Sequence, residues 1–127
     1  MTRTNVTAAG APAASGPYSQ AIIADGFVFC SGTAGIDPAT GLAPDSIEEQ
    51  TVLALSNLEA VLTAAGASLA TLIKTTVFYT NPADFGAINA IYAAHMPDPP
   101  PARSAPGNIH LPGNLLISID AIAIRTS

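Results

Sequence analysis

The stretch from Ser46 to Gly66 constrains the fold of this chain more than any other segment. Ser46-Ile-Glu-Glu49 has the form of a capping box: the Ser46 side chain takes one orphan N–H of the first turn, and Glu49 returns to another. Ile47, Leu55, Leu58, Val61, Leu62 and Ala65 then recur on one face, and Gly66 follows as a C-terminal stop. A helix with a marked start, one apolar stripe and a marked end must lay that stripe on another layer. The flanking segments supply it. Ala21 to Ala24 and Phe27 to Cys30 surround Asp25-Gly26, a pair suited to the positive φ angles of a two-residue hairpin turn. Leu72 to Tyr79 is β-branched and aromatic and reads as a strand, as does Leu115 to Arg125.

Asn81-Pro82 supplies an N-cap and a first-turn proline for a second helix running to about His95. Phe85, Ile88, Ile91 and Tyr92 form its expected stripe, and Pro97 ends it. Ser31 to Pro44 reads as a loop punctuated by Gly32, Gly35, Pro38 and Gly41. The order β-β-α-β-α-β predicts an α+β fold with helices on one face of a sheet. Nothing divides the sequence, so residues 1–127 are expected to form a single domain.

Of the residues, 49% are hydrophobic and 10% charged, a surplus of apolar surface that an obligate oligomer would cover. The net charge of −5 and a total of four lysines and arginines argue against nucleic-acid binding, which needs several cations on one face. The single cysteine, Cys30, precludes an intramolecular disulfide and a cysteine-based zinc site, and His95 and His110 make no metal pattern. Neither a signal-peptide core nor a membrane-length apolar run is present, so a soluble cytoplasmic protein is the expectation.

Arg103 stands out because basic residues are so scarce. Three prolines, Pro99 to Pro101, precede it, and the segment Pro106 to Gly113 follows. A guanidinium is permanently charged and its planar fork fits a carboxylate through two parallel hydrogen bonds. Read from charge and context alone, Arg103 is equally well a partner for a surface acid. In the last strand, Ser118 and Asp120 share a face with Leu116 and Ile122, opposite Ile117, Ile119 and Ala121. Two polar residues on one face of an apolar strand suit an interface or a site. Ser31, Thr33, Asp37 and His110 hold the residue types of a hydrolytic triad, but no nucleophile-elbow pattern accompanies them.

Several segments in order resemble the Rid/YjgF family of reactive-intermediate deaminases. They are Ala11-Pro-Ala-Ala-Ser-Gly-Pro-Tyr-Ser-Gln20, Ser31-Gly32, Asp37-Pro-Ala-Thr-Gly41, Asn57-Leu-Glu-Ala-Val-Leu62, Lys74-Thr-Thr-Val-Phe78, Asp84-Phe85, Ile88-Asn-Ala-Ile-Tyr92, Pro101-Ala-Arg-Ser104 and Ile119-Asp-Ala-Ile-Ala123. The resemblance implies a chorismate-mutase-like fold, a mixed sheet with two helices on one face, assembled as a homotrimer with sites at subunit interfaces. It implies hydrolysis of enamines and imines of the 2-aminoacrylate and 2-iminopropanoate type to 2-keto acids and ammonia, with no cofactor. Arg103 then matches the residue that clamps the substrate carboxylate. Tyr18 matches a site tyrosine that packs across an interface, Gly32 a close backbone approach, and Asn89 a site-lining amide. Ala105 stands where these deaminases carry a contact cysteine, and Pro106 where they carry an aliphatic residue. Ser118 stands where they carry a water-positioning glutamate. A serine hydroxyl orients water but does not take up a proton near neutral pH. Asp120, on the same strand face, is either an assistant through a second water or a structural partner for a cation. Two further functions are weighed against deamination: a non-catalytic binder of small 2-keto or amino acids using the same arginine, and a ribonuclease or translation inhibitor.

Overall fold

The computed structural model describes residues 2–126, so the first and last residues of the expected 1–127 unit lie outside it. The elements, in chain order, are β1 (Thr4–Val6), β2 (Ala21–Ala24), β3 (Phe27–Ala34), α1 (Ile47–Ala64), β4 (Leu72–Tyr79), α2 (Phe85–His95), β5 (Ala102–Ser104) and β6 (Ile117–Ile124). Among the described residues, six strands join one mixed sheet in the order β1-β2-β3-β6-β4-β5, in which only the β4–β5 pair is parallel.

Helix α1 forms as its sequence requires. The Glu49 N–H donates to Ser46 Oγ at 3.1 Å, and Gly66 takes a φ of 80° just beyond the last turn. The expected reciprocal bond differs: the Ser46 hydroxyl donates to Glu49 Oε1 at 3.1 Å, so the carboxylate engages the capping side chain and not a backbone N–H. The entire predicted stripe of α1 is buried. It covers Val28 of β3 and Ile117, Ile119 and Ala121 of β6, and removing this apolar area from water is the main source of stability. Between β2 and β3 the hairpin turn has φ of 52° at Asp25 and 79° at Gly26, as the Asp-Gly pair predicts.

Three expectations change. Ser31 to Ala34 is not loop: β3 continues through it, with a register shift between Cys30 and Thr33. The second helix begins with a tight 3₁₀ turn, Pro82–Asp84, capped by Asn81, whose Oδ1 accepts the Ala83 N–H at 3.0 Å; the α-helix proper starts at Phe85. Two short edge strands, β1 and β5, were not anticipated. Each has three residues, too few for a periodic pattern to show.

Three buried amides hold the loops that surround the sheet. Gln50 donates to the carbonyls of Pro44 and Asn114 at 2.8 and 2.9 Å, and its Oε1 accepts the Leu116 N–H at 2.8 Å. Asn57 donates to Ala34 O and Ile36 O, and Gln20 brackets the backbone of Ala8 and Pro12. Each replaces hydrogen bonds to water that burial has removed.

Among the described residues, no helix lies on the opposite side of the sheet. Phe27, Phe29 and Ile124 lie on it, each at least 37% exposed, with the Phe27 and Phe29 ring centroids 6.3 Å apart.

Candidate active site

Arg103 lies on β5, directly opposite Thr75 of β4 in the parallel register. Thr75 is fully buried under the helices, so the side chain of Arg103 rises on that same side and meets α2. Three residues of α2, at helical spacing, receive it. The guanidinium carbon stands 4.9 Å from the ring centroid of Tyr92 and 5.5 Å from that of Phe85. Nη1 donates to Asn89 Oδ1 at 2.8 Å. A neutral amide and two ring faces hold the fork without neutralising its charge. The cation borders a cavity of about 590 Å³ walled also by Asn89, Tyr92, Met96 and Asp98.

Ser118 occupies a different place. On β6 it pairs with Phe78 of β4 and Ala34 of β3, on the sheet face away from the helices. With Tyr18, Ser31, Gly32 and Leu111 it lines a second cavity of about 580 Å³. Gly32 leaves room for it: a Cβ there would stand 2.8 Å from Ser118 Oγ. Ser31 is committed elsewhere, its hydroxyl donating to Ser19 O at 2.6 Å. Tyr18 is 49% exposed, and its Oη accepts the Ser15 N–H at 3.3 Å. Hydrogen bonding to Ser15, first through its side chain and then its backbone, draws the phenol below its ordinary pKa against an opposing effect of burial.

The sequence-derived site residues therefore fall into two groups. Arg103 and Asn89 are together on the helix side; Tyr18, Ser31, Gly32 and Ser118 are together at the other cavity. Ala105, expected to shape the pocket, lines neither cavity and packs partly buried against the core. Asp120 lies on the face of Ser118, across from Thr76. Its charge adds to the effect of burial, the larger cause, in pushing the Cys30 thiol up to about 12. Cys30 is thus a protonated core residue at neutral pH and no nucleophile. His110 is exposed, and His95 Nδ1 lies 2.7 Å from Ile91 O in the last turn of α2. Sequence reasoning placed Phe85 and Tyr92 in the apolar stripe and missed their contact with Arg103. The signal was their spacing around Asn89 on one helical face.

Among the described residues, no group of three or more His, Cys, Asp or Glu side chains is placed to hold a metal ion, and no helix is long and apolar enough to cross a membrane.

The chain thus presents a guanidinium braced by an amide and two rings beside one cavity, and hydroxyls in another. The family described as Endoribonuclease L-PSP matches residues 8–125, and the chain belongs to this family, the Rid/YjgF proteins. It is 46% identical over 114 residues to "Reactive Intermediate Deaminase A, chloroplastic" of Arabidopsis thaliana, covering 89% of this chain and 61% of that longer protein. It is 41% identical over 116 residues to the 2-iminobutanoate/2-iminopropanoate deaminase of Mus musculus, covering 91% of this chain and 86% of the mouse protein. The crystal structure of E. coli TdcF with bound serine superposes with a TM-score of 0.91 at 35% identity, covering 97% of this chain and 99% of that one. The mixed sheet and two helices are those of the family.

One consequence is testable at Gly32. A methyl group there forces the Ser118 hydroxyl to rotate away, a small movement at the tip of a short side chain. Gly32→Ala should melt within about 3 °C of the parent. Thermal melts of the two proteins check this.

Proposed function

We propose that this protein is a cofactor-independent deaminase that hydrolyses 2-imino acids and their enamine tautomers to 2-keto acids and ammonia. The observation that carries the reading is the presentation of Arg103, stacked on two rings and braced by Asn89, with no ion pair to a carboxylate among the described residues. Such a fork accepts a substrate carboxylate through two charge-assisted hydrogen bonds. Serine, the ligand of the E. coli relative, carries that same carboxylate, and the mouse relative is named for imine deamination.

In this reading Arg103 fixes the carboxylate and Ser118 orients a water toward the imine carbon. Attack forms a C–O bond and moves the imine π electrons onto nitrogen, giving a carbinolamine after proton transfer from the water. Collapse of that adduct forms the keto C=O, breaks the C–N bond and releases ammonia. The Ser118 hydroxyl donates and accepts hydrogen bonds but stores no proton at neutral pH, so protons pass through water to the leaving nitrogen. Positioning supplies most of the rate enhancement.

Arg103 and Ser118 point to opposite sides of the sheet, and Thr75 and Phe78, their partners on β4, are three residues apart, about 10 Å along the strand. One chain does not join them. The proposal therefore includes a homotrimer in which Arg103 of one copy meets the Ser118 cavity of another, and the uncovered Phe27, Phe29 and Ile124 give such copies an apolar contact. The cytoplasm is the compartment we assign to this activity.

The test couples a serine or threonine dehydratase to the protein and follows 2-keto acid release while semicarbazide competes for the free imine. The proposal requires faster keto acid release and less semicarbazone as protein is added. Unchanged partitioning would show that it does not hydrolyse these imines.

A non-catalytic binder using the same arginine is favoured by one feature, the hydroxyl of Ser118 where a proton-accepting carboxylate would speed hydrolysis. The variant Ser118→Glu separates the two. For an enzyme, kcat should rise about tenfold or more between pH 7 and 8 with KM within about twofold. For a binder, neither chain accelerates release. Ribonuclease activity finds little support in a chain of net charge −5 with four lysines and arginines in total.

A further inference from the structure

We infer that Thr75 and Tyr92 act as positioning residues for Arg103, a hydroxyl-pinned aromatic pedestal that sets where the guanidinium fork stands. This rests on Arg103 being the carboxylate clamp. Tyr92 is 5% exposed and Thr75 0%, and their hydroxyl oxygens lie 2.7 Å apart. The pair is local to the clamp in two independent ways. Thr75 is the cross-strand partner of Arg103 in the β4–β5 register, and the Tyr92 ring is the nearer of the two faces beneath the guanidinium. The strand that places the Cα of Arg103 thus also pins the ring on which its cation rests.

A tyrosine is not needed there merely to fill space, since phenylalanine has nearly the same shape. The buried hydroxyl has Thr75 as its partner, and a hydroxyl without one would be costly. Fixing the ring at both ends removes its freedom to slide along the core. The guanidinium then adopts one position, with Asn89 setting its rotation. Phe85 completes the stack from the first turn of α2, and it is itself held by Tyr79, ring centroids 5.5 Å apart. A clamp arranged before substrate arrives loses less freedom on binding.

The experiment compares wild type, Thr75→Val, Tyr92→Phe, the double variant, Tyr92→Leu and Arg103→Ala. Melting temperature is one readout, and the Kd for 2-oxobutanoate by calorimetry the other, so the test does not depend on turnover. Each single conservative change strands one buried hydroxyl and lowers the melting temperature, whereas the double variant removes both partners and regains most of it. The pedestal predicts that the double variant, though restored in stability, still binds 2-oxobutanoate about threefold or more weakly. Wherever turnover is measured, its KM rises while kcat stays level. Tyr92→Leu, lacking the ring, should weaken binding roughly five- to thirtyfold. If affinity merely tracks stability, so that the double variant binds as wild type does, the pedestal is overturned and the clamp stands. If Arg103→Ala binds 2-oxobutanoate as tightly as wild type, the clamp falls, and the pedestal with it.

Discussion

Arg103→Ala is expected to lower kcat/KM for a 2-imino acid roughly 100- to 1,000-fold, the equivalent of about 3–4 kcal/mol for a lost bidentate, charge-assisted pair. The fold should scarcely notice. Arg103 is exposed on a short edge strand, and Asn89, also exposed, exchanges its bond for one to water. Arg103→Lys should recover only part of the activity. An ammonium keeps the charge but presents no planar fork, stacks less well on Tyr92 and Phe85, and does not bond Asn89 and a carboxylate with the same geometry. The semicarbazide-competed assay measures all three proteins. Equal rates for wild type and Arg103→Ala would remove Arg103 from the mechanism.

The largest effect on stability is expected at Gln50. Leucine has a similar volume, yet Gln50→Leu leaves the carbonyls of Pro44 and Asn114 and the N–H of Leu116 without their partner. Each stranded buried group costs about 1–3 kcal/mol, offset in part by the greater hydrophobicity of leucine. The net loss should be about 3–5 kcal/mol, seen as a melting temperature lower by roughly 10–20 °C. Activity should fall as well at temperatures where the variant is folded, because Leu116 leads directly into Ser118. Chemical denaturation and melts on the purified variant check the first part. An unchanged midpoint would mean that water replaces the amide, and the stabilising role would be withdrawn.

Much of the fold is legible in the sequence because it follows local rules. The start, stripe and stop of α1, the Asp25-Gly26 turn and the two faces of β6 depend on residues near one another in the chain. Strand β5 does not. Ala-Arg-Ser has little strand preference, and it is extended because the edge of β4 offers hydrogen bonds beside it. Likewise, Ser31-Gly32 looks like a loop until β6 pairs around the irregularity in β3. Gln20, Gln50 and Asn57 have the appearance of surface amides, and only distant carbonyls turn them into internal brackets.

The candidate site shows the same division. Arg103, Asn89, Tyr18, Gly32 and Ser118 are all identified by the resemblance, but their grouping into two cavities is set by sheet geometry. The parallel register opposite Thr75 sends Arg103 toward α2, and the alternation of β6 sends Ser118 the other way. No spacing along the chain reveals that separation. It is what makes a second copy of the chain necessary for the proposed chemistry.

Subunit mixing tests this account most directly. Arg103→Ala removes the clamp, and Ser118→Phe fills the other cavity, so each variant alone should be nearly inactive. Co-refolded and confirmed as mixed oligomers by native mass spectrometry, they should regain a substantial fraction of wild-type imine hydrolysis, because some interfaces then pair an intact Arg103 with an intact Ser118 cavity. Mixed oligomers no more active than the separate variants would contradict a site shared between copies.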